Sequence, residues 1–266
     1  MNSAEKILVF MVLALVAIGI WLGVNVTAAH AWDINKMNRQ IEDTNVIVGG
    51  ICSGTIISKP QRLVLTAYHC VDNLFEEVEE KTVDPKTGEI KTITKQKIIP
   101  LKITTNKVRD YEIIATEDHT AKVVGSDQEN DIALIQVIDT DYAPIAAAKL
   151  VSDSYTYMRG LKIFAIGNPA ITYDNSITEG IISAPQRMLD VDGKRLKVFQ
   201  FSAGIIGGNS GGAIVNDDGE IIGTVSAAIR GSAIAFGVPI SYTKDMVKKA
   251  GFGSILGPVK PLTEWQ

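Results

Sequence analysis

The sequence predicts an all-β protein, a barrel or a sandwich, behind one N-terminal hydrophobic helix. Three observations carry this. Short β-branched and apolar runs recur at close intervals from Asn45 to Val238, separated by turn residues. Glycine is frequent, 23 of 266 residues, and aromatic residues make up only 6%, which suits short strands and many turns. Ile7 to Val26, by contrast, is an uncharged run long enough to cross a bilayer as a helix.

The N-terminal segment, residues 1–31, has two readings. Lys6 precedes the apolar run, and Ala29-His30-Ala31 is the small-x-small pattern of a signal-peptidase site, with the cut before Trp32. The length of the run favours a retained anchor, with residues 7–26 in the membrane. The tripeptide favours a cleaved signal peptide. Both readings send the rest of the chain out of the cytoplasm, to the periplasm, the cell surface or the medium. A polar linker, residues 32–44, follows.

Strands then begin. Asn45 to Gly50 and Gly54 to Ser58 read as a pair around Cys52, and Leu63 to Ala67 delivers His69. Glu76 to Lys107 breaks the rhythm with many charges and the turn Asp84-Pro85-Lys86-Thr87-Gly88. It reads as an exposed insertion, a long hairpin with solvated faces. Strands resume at Tyr111 to Ala115, Ala121 to Val124 and Ile132 to Val137, and Asp139 to Ala148 reads as a crossing between two halves. The second half offers Lys162 to Ile166, Thr178 to Ser183, Lys197 to Phe201, Gly212 to Val215, Ile221 to Ser226 and Ala233 to Val238. Asp217-Asp218-Gly219 is a hairpin turn. Ser241 or Thr243 is a suitable cap for a short helix that stops at Gly251. The halves, residues 45–143 and 144–245, are compatible with two similar barrels and a tail over 246–266, although no sequence repeat links them.

Bulk chemistry excludes some functions. The net charge is −4, so the basic footprint needed for nucleic acid is missing. The two cysteines, Cys52 and Cys70, form no C-x-x-C pair, so neither a metal nor a cofactor is expected. A disulfide between them would close a loop of roughly 18 residues and stabilise by about 3 kcal/mol in an oxidising compartment. Two free buried thiols are the other reading.

Three motifs carry chemistry. Leu65-Thr66-Ala67-Tyr68-His69-Cys70 ends an apolar run on a histidine. Asn130-Asp131-Ile132-Ala133-Leu134 puts an aspartate at the mouth of an apolar strand. Gly207-Gly208-Asn209-Ser210-Gly211-Gly212 sets a serine among glycines. A serine hydroxyl needs a neighbouring base, and a histidine supplies one near neutral pH. Of the three histidines, His30 lies at the cleavage site and His119 in the polar stretch Glu117-Asp118-His119-Thr120, which reads as surface; His69 remains. The histidine in turn needs a carboxylate to fix its tautomer. Asp131 leads into the core, whereas its rival Asp127 sits in a polar turn. The amides of Gly208 and Ser210 are placed to hold an oxyanion, with Gly208 free to take the backbone angles required.

A pocket beside the serine would be lined by Ala203, Gly204, Ile205 and Ile206 on one side and by Ser226, Ala227 and Ala228 on the other, bordered by Ala235 to Val238. Neither wall has a carboxylate to pair with a basic side chain. The expectation is cleavage after small or medium apolar residues. Arg230, near the rim in sequence, would admit an acidic one.

The order His, Asp, Ser and its surrounding text resemble the trypsin-like fold and, within it, the HtrA/Deg branch of bacterial serine proteases. The matching text runs from Val46 to Tyr242. It includes Ala121 to Asp127, Ala165-Ile166-Gly167-Asn168-Pro169, Thr178 to Ser183, Gly208 to Gly212 and Ala235 to Pro239. The resemblance implies two six-stranded antiparallel Greek-key barrels with the site in the cleft between them. It also implies a serine endopeptidase acting on proteins or peptides, with protein quality control as its setting and a homo-oligomer as its form.

Three departures stand out. The family usually carries PDZ domains after the protease, and about 25 residues follow Ser241 here. Cys52 and Cys70 resemble instead the histidine-loop disulfide of trypsin. The charged insertion is longer than the family's segment. Ile47-Val48-Gly49-Gly50 spells the new N-terminus of activated trypsins, but it stands two residues from Cys52, and Asn209 replaces the aspartate that would receive a freed amine. It is expected to be an ordinary strand. A peptide-binding or holdase role in the same cleft is the rival function. An esterase is disfavoured because the strand–turn–helix context of its G-x-S-x-G motif is missing.

Overall fold

The computed structural model describes residues 43–83, 85, 90–109, 112–191 and 193–256. The hydrophobic run 7–26, the cleavage tripeptide, most of the linker and the last ten residues of the tail lie outside them. Among the described residues no helix is long and apolar enough to cross a membrane.

Two closed six-stranded barrels make up the fold. The first is built from β1 (Asn45–Val48), β2 (Cys52–Ser58), β3 (Leu63–Thr66), β6 (Leu101–Arg109), β7 (Glu112–Asp127) and β8 (Ile132–Val137). The second is built from β9 (Lys162–Gly167), β10 (Ser176–Val191), β11 (Lys194–Phe201), β12 (Ala213–Val215), β13 (Ile221–Ala228) and β14 (Ala235–Pro239). Counted within each barrel, the strands close in the same cyclic order, 1-2-3-6-5-4, and every pairing is antiparallel. The third strand pairs with the sixth rather than the fourth, which is the Greek-key crossing. The expected pair of barrels is therefore present, though no sequence repeat announces it. The chain changes barrel near residue 149: Ala148 N–H donates to Ile56 C=O of β2, and Leu150 bridges to Ile221 of β13.

The interiors follow from strand alternation. Val46, Val48, Ile56, Val64, Leu101, Ile103, Val123, Ile135 and Val137 pack inside the first barrel. Phe199 and Phe201, with ring centroids 6.0 Å apart, anchor the second, and Tyr157 lies 5.0 Å from Phe199. Gly223 and Gly237 leave room for that ring. A Cβ at either position would stand 2.6–2.7 Å from Phe199.

Four expectations need correction. The charged insertion is shorter than read. The hairpin β4 (Phe75–Val83) and β5 (Ile90–Ile98) stands apart as a two-stranded sheet, but Leu101–Lys107 belongs to the barrel strand β6. Leu101 and Ile103 are buried between exposed Lys102 and half-buried Thr104, a period-2 signal masked by the surrounding charges. The strands expected at Tyr111–Ala115 and Ala121–Val124 are one strand, β7, because its outer half continues to pair with β6. His119 is not a surface residue. Its side chain is 11% exposed, lies 4.3 Å from the Tyr142 ring, and its Nε2 is 3.2 Å from Thr105 Oγ1.

The fourth correction concerns the C-terminal helix, α1 (Ile240–Lys249). It starts after Pro239 with no side-chain cap, so Ser241 and Thr243 lie inside it. It does stop at Gly251, whose φ of +85° is the left-handed conformation that glycine tolerates. It also runs through the expected 245/246 boundary, with Met246 and Val247 buried. It packs on β7 and β8 of the first barrel. A Cβ at Gly125 would stand 2.9 Å from Ala250 Cβ.

Candidate active site

β3 ends at Thr66, and the short 3₁₀ turn Tyr68–Cys70 then presents His69. The segment is fixed from behind by the Cys52–Cys70 disulfide. These two sulfurs and the His69 ring lie close enough to group around an ion, but both sulfurs are bonded to each other and offer no thiolate to one.

Asp131 sits immediately before β8, at a left-handed φ of +51°. Asp127 sets up that turn: its carboxylate accepts from the Asn130 N–H at 3.1 Å and from the Asn130 side-chain amide at 2.8 Å. The rival aspartate is thus a turn former, and its neighbour is delivered to the histidine. His69 Nδ1 is 3.0 Å from both Asp131 oxygens, and the His69 backbone N–H donates to Oδ1 at 3.0 Å. With Nδ1–H donating, Nε2 is left as the acceptor. The His69 pKa is raised above 6.5, first by the Asp131 hydrogen bond and then by the charges of Asp131 and Asp72, against the opposing effect of burial.

The second barrel adds a partner that the sequence reading placed elsewhere. Ser226, expected in the pocket wall, also donates from Oγ to Asp131 Oδ2 at 2.5 Å. Its position on β13, 95 residues away, left no signal of that contact.

Ser210 comes from the loop between β11 and β12. Its carbonyl accepts from the Ser53 N–H of β2 at 2.8 Å and lies 3.7 Å from Cys70 Sγ. The serine therefore rests against the residue that follows His69. Every carbonyl of the turn before it has a donor. Asn209 N–H donates to Ile206 C=O at 3.2 Å, and Gly208 takes φ +98°, the arrangement of a type II turn. Gly207 C=O accepts from Ala170 N–H, Gly208 C=O from Ser53 Oγ, and Asn209 C=O from Gly212 N–H, at 2.7, 2.7 and 3.0 Å. Gly211 N–H donates to Val225 C=O at 2.8 Å. Between residues 208 and 212, only the amides of Gly208 and Ser210 have no acceptor among the described residues. In a trans peptide, N–H and C=O point opposite ways. Holding the Gly207 and Asn209 carbonyls therefore aims those two amides outward.

Ser210 opens on a cavity of about 520 Å³. Ile205, Ile206, Ser226, Ala227 and Ala228 line it as expected, and so does Arg230. Gly204 does not line it; its carbonyl accepts from Thr178 Oγ1. Ala203 does not line it either and is buried. Ile47 and Val48 are buried in β1, so the trypsin-like tetrapeptide is a strand and its turn, as expected.

Known proteins resemble this chain. The "Serine protease HtrA-like" proteins of Staphylococcus aureus strains MRSA252 and USA300 are 32% and 33% identical to this chain over 139 and 138 residues. Those stretches cover 48% of this chain but only 18% of the relatives' own length. The crystal structure of the MamO protease domain from Magnetospirillum magneticum, in its apo form, superposes with a TM-score of 0.58 at 19% identity, over 77% of this chain and 95% of that one. It shares the fold. The model of the trypsin-like peptidase domain matches residues 52–223, from the disulfide through all three motifs, and on that match the chain belongs to the trypsin-like peptidase family.

Proposed function

We propose that this chain is an extracytoplasmic serine endopeptidase using Ser210, His69 and Asp131. One observation carries the reading: Ser210 and Ser226 line one cavity, Ser226 donates to Asp131, and Asp131 holds His69. In the reaction, Ser210 Oγ attacks the scissile carbonyl carbon while its proton passes to His69 Nε2. The carbonyl oxygen becomes an oxyanion, held by the amides of Gly208 and Ser210. Collapse breaks the C–N bond, and His69 returns its proton to the leaving amine. Water then repeats the sequence on the acyl-enzyme and frees Ser210. Asp131 holds His69 Nδ1–H throughout and stabilises the imidazolium.

The cavity supports a preference for valine, alanine or leucine before the cut. Its walls hold aliphatic side chains, and Arg230 is its single charged lining residue. A buried lysine or arginine there would have no carboxylate partner. The N-terminal apolar run and the disulfide support an extracytoplasmic location.

The test uses a fluorophosphonate probe and a peptide library. The wild type should label at Ser210 and cut after small apolar residues. Ser210→Ala should lose labelling and about a millionfold in kcat. Peptide binding without labelling would instead favour the holdase reading, and cuts dominated by lysine or arginine would refute the pocket.

A further inference from the structure

The oxyanion turn belongs to the second barrel, yet one residue of the first barrel holds it at two points. Ser53, on β2, is fully buried. Its hydroxyl donates to Gly208 C=O at 2.7 Å and its amide donates to Ser210 C=O at 2.8 Å. The two carbonyls flank the peptide that carries Asn209 and the Ser210 amide. The hydroxyl is itself oriented. It accepts from Asn168 N–H at 2.8 Å and from the Asn168 side-chain amide at 3.2 Å, which leaves its single proton for Gly208.

Asn168 is fully buried as well and is fixed in turn. Its side-chain amide donates to Val46 C=O at 3.0 Å, and its Oδ1 accepts from Asn45 at 2.8 Å and from Asn175 N–H at 3.1 Å. The next residues supply the third hold, since Ala170 N–H binds Gly207 C=O. The space behind the turn is closed too. A Cβ on Gly208 would stand 2.3 Å from Asn168 C=O, and one on Gly167 would stand 2.9 Å from Ser53 Oγ.

A turn with φ of +98° at its third position has a competitor. Rotating the 207–208 peptide converts type II to type I and swings the Gly208 amide inward. Type I places no acceptor demand on that amide, so the choice rests on what holds the carbonyls. Ala170 N–H holds Gly207 C=O, and the first barrel holds the carbonyls of Gly208 and Ser210, the former through the Ser53 hydroxyl, which no backbone group replaces, and the latter through the Ser53 amide.

We propose that Ser53 is a positioning residue for this site: by holding the carbonyls of Gly208 and Ser210, on either side of the Asn209–Ser210 peptide, it pins the turn in the form that Ala170 N–H selects at Gly207 and so steadies both oxyanion-binding amides, and it makes that setting depend on the two barrels being docked. The proposal rests on the peptidase reading above. Ser53 touches no substrate. Losing it should cost transition-state stabilisation and leave ground-state binding in place.

The experiment compares Ser53→Thr with Ser53→Val, an isosteric pair that differs only in the hydroxyl, with Ile56→Val on the same strand as a control for plain loss of core packing. The hydroxyl variant should exceed the valine variant by about tenfold or more in kcat, with KM within about twofold; removing an oxyanion donor outright costs about a hundredfold or more. Affinity for a peptidyl boronate, whose tetrahedral adduct carries the oxyanion, should fall with kcat. Ile56→Val should keep the wild-type kcat. Crystal structures of the pair supply a readout independent of activity, namely whether φ at Gly208 stays positive. A Gly208 that leaves the left-handed region in Ser53→Val alone supports the proposal even if the wild type proves inert, in which case the peptidase reading fails by itself. Equal kcat in the two variants, a loss confined to KM, or an unchanged turn in Ser53→Val overturns it.

Discussion

The two barrels close their strands in the same order but fill and use them differently. The first packs Val, Ile, Leu and Ala inside, and none of its buried side chains is aromatic among the described residues. The second is built around Phe199 and Phe201, with Gly223 and Gly237 cut away to admit a ring. Alternation and antiparallel register, which the barrels share, therefore set the topology; the identity of the core side chains does not. The proposed roles divide between the barrels as well. The first barrel contributes side chains, His69 and Asp131, bonded directly to each other. The second contributes the Ser210 hydroxyl and, around it, main chain: a turn whose carbonyls are all held and whose amides at Gly208 and Ser210 have no acceptor among the described residues. The exception on each side is a crossing serine. Ser226 reaches back to Asp131, and Ser53 reaches across to Gly208.

The sharpest way to break this comparison is to disable the side-chain half and leave the main-chain half intact. Asp131→Asn keeps the shape but removes the acceptor that holds Nδ1–H. The His69 tautomer is lost, and kcat should fall by about ten-thousandfold while KM changes little. Measured kcat/KM within tenfold of wild type would show that Asp131 does not orient His69.

The second prediction concerns the cores. Truncating Phe199 removes the fully buried ring for which Gly223 and Gly237 leave room. Phe199→Ala should lose about 3–5 kcal/mol of stability, against about 0.5–1.5 kcal/mol for Ile135→Val in the aliphatic barrel. Denaturant unfolding measures both. Equal losses would mean that the aromatic barrel is no more dependent on one side chain than the other.

How much of this was legible in sequence follows the same division. His69, Asp131 and Ser210 could be read because each motif is local: a residue and the strand or turn that delivers it. The glycines of the oxyanion turn were legible for the same reason. What escaped depends on residues far apart in the chain. Ser53 and Gly208 are separated by 155 positions, Ser226 and Asp131 by 95. Nothing in the residues around Ser53 signals that its hydroxyl binds a distant carbonyl. β6 escaped for another reason. Its charged outward residues outweigh Leu101 and Ile103 in any local average, and only its pairing with β1 and β7 reveals the strand.

The disulfide belongs wholly to the first barrel and tests whether that barrel needs covalent support. It closes a loop spanning 18 positions, which on the chain-entropy account stabilises by about 3 kcal/mol. The Cys52→Ala/Cys70→Ala double variant should show that loss in urea unfolding. Because Cys70 follows His69, kcat should fall as well. A variant with unchanged stability would mean that packing alone fixes the histidine segment.

The smallest expected effect is a titration. The His69 pKa is raised above 6.5, chiefly by its hydrogen bond to Asp131, with the Asp72 charge as the least of the contributions. Only the neutral imidazole can take the Ser210 proton. Activity is therefore lost as pH falls through the raised value, and the acid limb of kcat/KM should lie above pH 6.5. The stability contribution runs the other way: it is complete below 6.5 and fades as pH rises through the folded-state value. With the His69 side chain 43% exposed, solvent screens that contribution, so kinetics is the cleaner readout. Asp72→Asn removes one anion without touching the pair. The limb should move to lower pH while the plateau rate stays the same. A limb below 6.5, or one that moves up in Asp72→Asn, would show that His69 is not held by the acceptors assigned to it.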